Sequence, residues 1–287
     1  MNLKHLTLAL ALASLPSLSF ATQVLTTLPI THSLASALLE GTGVQLKRAA
    51  PANLPASRQP SYFSGRGGAS LDKAAQQADA VIGVRSIWRD DPLYPMARRS
   101  NIRIVEIDAA RPVDGALPGI AVSGDDAYNA YPWLNPTNLG RMADVVANDL
   151  ERLAPSEKTK IQGNLAALKR QLLELAASSQ TQLAKVDNLT VVSLSPRLGY
   201  LASGLNLDVV QQPLPTAWDA AALKALEANL KAQDVALVLD HRQPEPALAA
   251  AIQAAGAKLV VVDSDPDDAF AGLKASVEQV VGALGES

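Results

Sequence analysis

The feature that most constrains the fold is a series of short apolar runs separated by segments with helical spacing. The runs that we predict as strands are 23–28, 44–46, 80–84, 102–107, 189–194, 235–239 and 259–262. The segments predicted as helices between and after them are 31–39, 71–77, 136–153, 217–231, 246–255 and 270–284. Apolar strands that alternate with helices are typical of parallel sheets covered on both faces. The sequence therefore predicts an α/β fold with mostly parallel sheets.

A long helical stretch divides this pattern into two halves. After the break at 154–156, Leu165, Leu168 and Leu172 fall on one face of a predicted helix over 156–186, with Ser156 as its N-cap. A helix of about 28 residues spans about 42 Å at about 1.5 Å per residue. That length suits a strut between two lobes, so we predict an N-terminal lobe over 22–155 and a C-terminal lobe over 187–287. Ligands of such folds bind at the carboxyl ends of the strands, in the cleft.

One segment lacks a regular pattern. Residues 49–70 are rich in proline and glycine, and we predict a long loop there. Loops of this length inside compact domains are more often functional than idle. The segment is therefore a candidate contributor to a binding site.

The N-terminus reads as an export signal. Lys4 and His5 form a polar start, residues 6–15 are nearly all leucine and alanine, and 19–21 offers small residues for a signal peptidase. The apolar run is too short for a membrane span of about 20 residues. We predict a signal peptide over 1–21 and a mature protein that is free in the periplasm. The chain has no cysteine, which excludes disulfides, thiolate zinc sites and lipid attachment at a mature N-terminal cysteine.

Charge and motifs exclude two further classes of protein. The net charge of −3 and a pI near 5.7 argue against a nucleic-acid-binding protein. No nucleophile elbow, no His-Glu-x-x-His and no Walker sequence is present, so we do not expect an enzyme.

Five segments in chain order carry a resemblance to a known family. They are 28–34 together with 39–43, then 78–82, 131–136, 199–202 and 260–263. Together they resemble the zinc/manganese-type periplasmic solute-binding proteins of ABC importers, cluster A, and within it the zinc-uptake branch. The resemblance implies two lobes joined by a rigid helix, a metal ion bound between them and an ABC permease in the inner membrane as partner. A monomer is expected.

The resemblance also implies where metal ligands should lie. In the family three histidines and one carboxylate hold the metal. Those histidine positions fall on or near Ser61, on Tyr131 and on Ser195, and the carboxylate falls on Asp263. A further acidic position falls on Asp240. Most ligand histidines are thus replaced, and a tetrahedral zinc site of the family's type is not expected.

Three interpretations of the cleft stay open. In the first, the oxygen donors Tyr131, Asp240, Asp263 and Tyr62, with a nitrogen from His241, bind a harder ion such as Fe³⁺ or Mn²⁺. The bland interpretation of His241 is a surface histidine at the end of a strand.

In the second interpretation the cargo is a metal already wrapped in an organic anion. Arg58 and Arg66 lie in the long segment, Arg197 follows Ser195 and Arg242 follows His241. Guanidinium groups grip carboxylates with two parallel hydrogen bonds. The alternative is that these arginines are ordinary surface charges.

In the third interpretation the chain is a non-transporting accessory or interaction protein of the same fold.

Apart from the cargo, which would be zinc, manganese or iron, free or chelated, no cofactor is predicted. The acidic residues Asp265, Asp267 and Asp268 are interpreted as the N-terminus of the last helix.

Overall fold

The computed structural model describes residues 21–112, 117, 119–120 and 130–285. All of the predicted signal peptide except Ala21 lies outside the described residues. The first lobe contains four strands: β1 Gln23–Thr26, β2 Gln45–Arg48, β3 Ala80–Gly83 and β4 Val105–Asp108. All their pairings are parallel, in the order β2-β1-β3-β4. Its helices are α1 Pro29–Leu39, α2 Gln59–Ser64, α3 Gly68–Gln77 and α4 Leu93–Ser100.

The second lobe repeats this arrangement. Its strands are β5 Thr190–Ser193, β6 Asp208–Val210, β7 Leu237–Asp240 and β8 Lys258–Val261, again all parallel and in the order β6-β5-β7-β8. Its helices are α7 Gly199–Gly204, α8 Ala220–Ala232, α9 Pro246–Ala254 and α10 Ala269–Gly285. In both sheets the chain winds outward in two directions from the first strand, which creates a switch point where ligands of α/β proteins bind. The predicted two-lobed α/β fold is confirmed.

Two helices lie between the sheets in the sequence, α5 Pro136–Leu153 and α6 Lys158–Leu183. Helix α6 has 26 residues and is about 39 Å long. It buries a row of apolar side chains, Ile161, Leu168, Leu172, Leu175 and Leu183, and it packs against α1, α5 and α10. One hydrophobic cluster runs from Val24 in the first sheet through Leu168 to Leu237 in the second. A packed core therefore joins the lobes, although the predicted division at 155 and 187 stays a prediction.

The segment 49–70 differs most from its prediction, because it is largely helical. It contains a 3-10 turn at Ala56–Arg58, helix α2 and the start of α3. Phe63 of α2 is buried with Leu25 of β1 and Ala50, and this burial stabilises a helix that composition alone does not favour. At Gly67 a side chain would overlap the ring of Tyr62, so glycine is required there for close packing.

Smaller errors concern boundaries and short elements. Helix α4 and strand β6 were not predicted, and the strand predicted over 102–107 begins only at Val105. Ser156 is not an N-cap, since a 3-10 turn at Pro155–Glu157 leads into α6 without a side-chain cap. Helix α1 begins at Pro29, whose ring fixes the backbone angle that a first helical residue needs. No helix in the described ranges has the length and apolar character of a membrane span.

Candidate ligand site between the lobes

The first lobe presents one aromatic side chain at its boundary with the second. Tyr131 is 2% exposed, and its ring packs against Trp88 and Trp133 at centroid distances of 5.3 and 4.8 Å. The indole N–H of Trp88 donates to the carbonyl of Ala130 at 2.9 Å, which holds the segment before α5 in place. Edge-to-face and tilted ring contacts of this type restrict the orientation of each ring. The hydroxyl of Tyr131 is therefore positioned by a rigid aromatic cluster.

That hydroxyl lies at a group of three polar residues of the second lobe and bonds directly to one of them. It donates to Asp265 Oδ2 at 3.1 Å. Arg197 Nη1 donates to the same oxygen at 3.0 Å and to Ser264 Oγ at 3.0 Å, and Ser264 Oγ donates to Asp265 Oδ2 at 3.1 Å. The guanidinium carbon of Arg197 also lies 4.7 Å from the centre of the Tyr131 ring, within the range of a cation–π contact. We call Tyr131, Arg197, Ser264 and Asp265 the interlobe cluster.

Two residues predicted as metal ligands support the turns that carry this cluster. Ser195 follows β5 and is buried, and its Oγ accepts the backbone N–H of Arg197 at 3.3 Å. Asp263 follows β8, and its Oδ1 accepts the backbone N–H of Asp265 at 3.0 Å. Both side chains thus position the loops at the carboxyl ends of the second sheet. The carboxylate that meets Tyr131 is Asp265, two residues beyond the position given by the resemblance.

Electrostatics keep the Tyr131 hydroxyl protonated. Burial raises the pKa of Tyr131 well above its usual value, the neighbouring Asp265 carboxylate raises it further, and Arg197 only partly opposes this. A phenolate ligand for Fe³⁺ would have to lose that proton. In this arrangement Tyr131 acts as a hydrogen-bond donor.

Asp240 and His241 form a separate pair after β7. Asp240 Oδ1 accepts the backbone N–H groups of His241 and Arg242 at 2.7 and 3.3 Å. Burial acts to raise the pKa of Asp240, but these bonds and the imidazole of His241 hold it below its usual value. His241 Nδ1 lies 3.3 Å from Asp240 Oδ1 without the alignment of a hydrogen bond. Both ring nitrogens of His241 are buried, and neither has a hydrogen-bond partner within the described ranges.

The predicted site residues of α2 form a third group. Ser61 is exposed on α2, and the ring of Tyr62 packs edge-on against Phe63 at 5.2 Å. The guanidinium of Arg66 lies 5.5 Å from the Tyr62 ring. The structure thus brings Tyr131 to Arg197, Asp240 to His241 and Tyr62 to Arg66. No hydrogen bond or ion pair between described residues joins the three groups.

The donor set of the interlobe cluster does not match a bare metal ion. It offers protonated hydroxyls and one carboxylate, and the Arg197 cation already lies among them. In the part of the chain that the structure describes, no three histidine, cysteine or carboxylate side chains approach closely enough to hold a metal.

Sequence reasoning missed Ser264 and Asp265 as site residues. One signal was present, because both follow a predicted strand, and the carboxyl ends of parallel strands meet at one edge. Their pairing with Tyr131 depends on a contact across 134 residues, which no local pattern encodes.

The fold and this site define a two-lobed binding protein with its candidate site at the boundary between the lobes. The family model of the zinc-uptake complex component A, periplasmic, matches residues 66–269. This is more than half of the chain, and the protein therefore belongs to that family. A comparison with curated proteins gave no match.

Solved structures agree with this assignment of the fold. A ZnuA deletion mutant with zinc bound superposes with a TM-score of 0.67 at 21% identity, covering 92% of this chain and 98% of that one. FpvC from Pseudomonas aeruginosa in complex with Mn²⁺ gives 0.69 at 19% identity, covering 93% and 99%. Zn(II)-bound AdcA from Streptococcus pneumoniae gives 0.68 at 19% identity, covering 93% of this chain and 57% of that one.

Proposed function

We propose that this protein is the periplasmic binding component of a metal-type ABC importer and that its cargo is a metal held by an organic anion. Family membership supports the general role. The observation that favours a chelated over a bare metal is the position of Arg197. Its guanidinium lies between Tyr131 of the first lobe and Asp265 of the second.

A fixed guanidinium changes which cargo the site favours. Two unit charges 4 Å apart interact by about 4 kcal/mol at an effective dielectric constant of about 20. For a bare cation beside Arg197 this interaction is a repulsion, and for a carboxylate it is an attraction. A bidentate carboxylate also matches the planar geometry of the guanidinium.

The proposed capture step is an exchange of carboxylates. An incoming carboxylate accepts the N–H groups of Arg197 and displaces Asp265, and the Tyr131 hydroxyl donates to the new anion. Large hinge motion is disfavoured because the lobes share a packed core. They are also joined by a hydrogen bond from the Ala269 N–H to Ser33 Oγ at 2.7 Å. The loaded protein would then deliver its cargo to the permease.

Calorimetric titration tests this role for Arg197. Ferric citrate, with zinc citrate as a second probe, should bind the wild-type protein, and Arg197→Met should weaken binding by about 10- to 100-fold, the scale of lost charge-assisted hydrogen bonds. Arg103→Met is the matched control, because Arg103 is exposed and has no ion pair or hydrogen bond from its side chain among the described residues.

Either of two results would reject the proposal for a chelated cargo. One is equal binding of ferric citrate by Arg197→Met and wild type. The other is tight binding of bare Zn²⁺ or Mn²⁺ with no effect of citrate. Failure to bind any of these would favour the accessory protein of the same fold, and neighbouring permease and ATPase genes would argue against that alternative.

A further inference from the structure

A second arginine at the boundary between the lobes carries unpaired donors. Arg48 ends β2 and donates from Nη1 to Asp267 Oδ1 of the second lobe at 3.4 Å. Its side chain is 16% exposed, whereas that of Asp267 is 83% exposed. Arg48 Nε and Nη2 are buried, and within the described residues they have no hydrogen-bond partner. An exposed carboxylate at this distance is a weak partner, so the described residues leave most of the hydrogen-bonding capacity of Arg48 unused.

The two unpaired nitrogens lie on one edge of the planar guanidinium, and this edge is suited to a bidentate carboxylate. The first lobe provides an internal reference for this geometry. Arg85 uses Nε and Nη2 to bind the two carboxylate oxygens of Glu106 at 2.7 and 2.8 Å. Arg48 offers the same edge without a protein carboxylate on it among the described residues. Buried charged donors left in this state cost free energy, which a ligand can recover.

The partners of Arg48 and Arg197 lie close together in the chain. Arg48 pairs with Asp267 and Arg197 with Asp265, and two residues span at most about 7 Å. The two guanidinium groups thus approach one short segment, one from each lobe. A small ligand with two or three carboxylates carries the charges to pair with both.

We propose that the carboxyl ends of β1 and β2 form a docking site for a carboxylate of a small polycarboxylate ligand, gripped by Nε and Nη2 of Arg48. This rests on the proposed function in that the ligand is the organic anion of the cargo. It adds the chemical class of that anion and a second anchor in the other lobe.

Metal-free citrate is the probe that tests this site by calorimetry, with inorganic phosphate as a second oxyanion. Citrate should bind more tightly than phosphate, because only citrate offers a separate carboxylate to each of the two arginines. Arg48→Met should weaken citrate binding by about 10- to 100-fold. Arg48→Lys should weaken it by at least about tenfold, since lysine keeps the charge and loses the planar fork. Arg103→Met should bind citrate as the wild type does.

Folding is checked separately by circular dichroism and by the melting temperature of each variant. Wild-type affinity for citrate in a folded Arg48→Met or Arg48→Lys variant would overturn the proposal. Phosphate binding at least as tight as citrate binding would overturn the polycarboxylate class, and so would the absence of citrate binding.

The effect of added metal on citrate binding distinguishes the docking site from the proposed cargo. If citrate binds through Arg48 and added Fe³⁺ or Zn²⁺ brings no gain in affinity, the docking site stands and the chelated-metal cargo fails. If ferric citrate binds and Arg48→Met has no effect, the cargo stands and the docking site fails.

Discussion

Arg197 and Arg48 lie on opposite lobes, and each pairs with an aspartate of the same short segment, yet their environments differ. Arg197 donates to Ser264 and Asp265 at 3.0 Å and lies over the ring of Tyr131. Arg48 makes one longer bond to an exposed aspartate, and its Nε and Nη2 remain unpaired within the described ranges. The second-lobe arginine is thus held by protein groups that a ligand must displace, and the first-lobe arginine is prepared to receive one.

Both arginines are proposed to bind the cargo, but only Arg197 also makes contacts that stabilise the unliganded protein. A guanidinium whose hydrogen bonds are satisfied internally contributes to stability, and removing it should cost free energy of unfolding. A buried guanidinium with unpaired donors costs stability in the unliganded protein, and its removal should be tolerated until ligand is added.

The largest effect is expected for substitution of Tyr131, whose ring lies against Arg197. Tyr131→Ala should lower the free energy of unfolding by about 3–5 kcal/mol, because a large buried side chain is lost between two tryptophans. Tyr131→Phe, the matched control, should cost only about 1 kcal/mol, because it removes the single bond to Asp265. Urea unfolding measures both values. Equal effects of the two variants would show that packing does not anchor the cluster.

The two arginines themselves give the next contrast. Arg197→Met should destabilise the unliganded protein by about 1 kcal/mol, a value discounted because Asp265 is partly exposed. Arg48→Met should be neutral or stabilising, because an apolar side chain then takes the place of a buried charge whose donors are unpaired. Urea unfolding without ligand checks this. A larger loss of stability in Arg48→Met than in Arg197→Met would contradict the comparison.

The coupling energy should be larger between Arg197 and Asp265 than between Arg48 and Asp267. A double-mutant cycle of Arg197→Met with Asp265→Asn should give an interaction energy of about 0.5–1 kcal/mol. The cycle of Arg48→Met with Asp267→Asn should give about 0.2 kcal/mol or less, since that bond is long and exposed. Equal coupling energies would contradict the distinction between a satisfied and an unsatisfied guanidinium.

The smallest effect concerns pH. Burial lowers the pKa of His32, the Arg48 charge lowers it further, and Asp267 partly opposes this. The unfolded chain, with a histidine pKa near 6.5, then binds more protons than the folded one as pH falls below that value, so stability is full above about pH 6.5 and decreases below it. Urea unfolding at pH 7.5 and 5.5 should show this loss. His32→Asn should reduce the loss, and Arg48→Met should reduce it in part. An unchanged dependence of stability on pH in both variants would show that His32 is not its source.

Much of the fold could be predicted from periodicity, and the failures have physical causes. Helix α5 was predicted at its observed bounds because its apolar spacing and its start at Asn135 and Pro136 agree. The segment 49–70 was predicted as a loop because its helices depend on tertiary burial of Phe63. The short edge strand β6 carries too few apolar residues to be recognised from its sequence.

The candidate site was harder to predict than the fold. Tyr131 and Arg197 were both predicted as site residues, but under competing interpretations. The structure places them in one cluster. Asp263 and Ser195 were selected as ligands and are observed supporting turns. Arg48 was not selected, because its unpaired edge is a property of packing around the end of β2 and leaves no trace in local spacing.

The most direct test of the chelated-cargo claim is thermal unfolding of the chelator-stripped protein against two parallel panels. One contains the bare ions Zn²⁺, Mn²⁺ and Fe³⁺, and the other contains the citrate complexes of the same ions. A chelated cargo should raise the melting temperature in the panel of complexes and leave it unchanged with the bare ions. A ligand at 100 times its Kd stabilises by about 2.7 kcal/mol. A rise with a bare ion that citrate abolishes would contradict a chelated cargo.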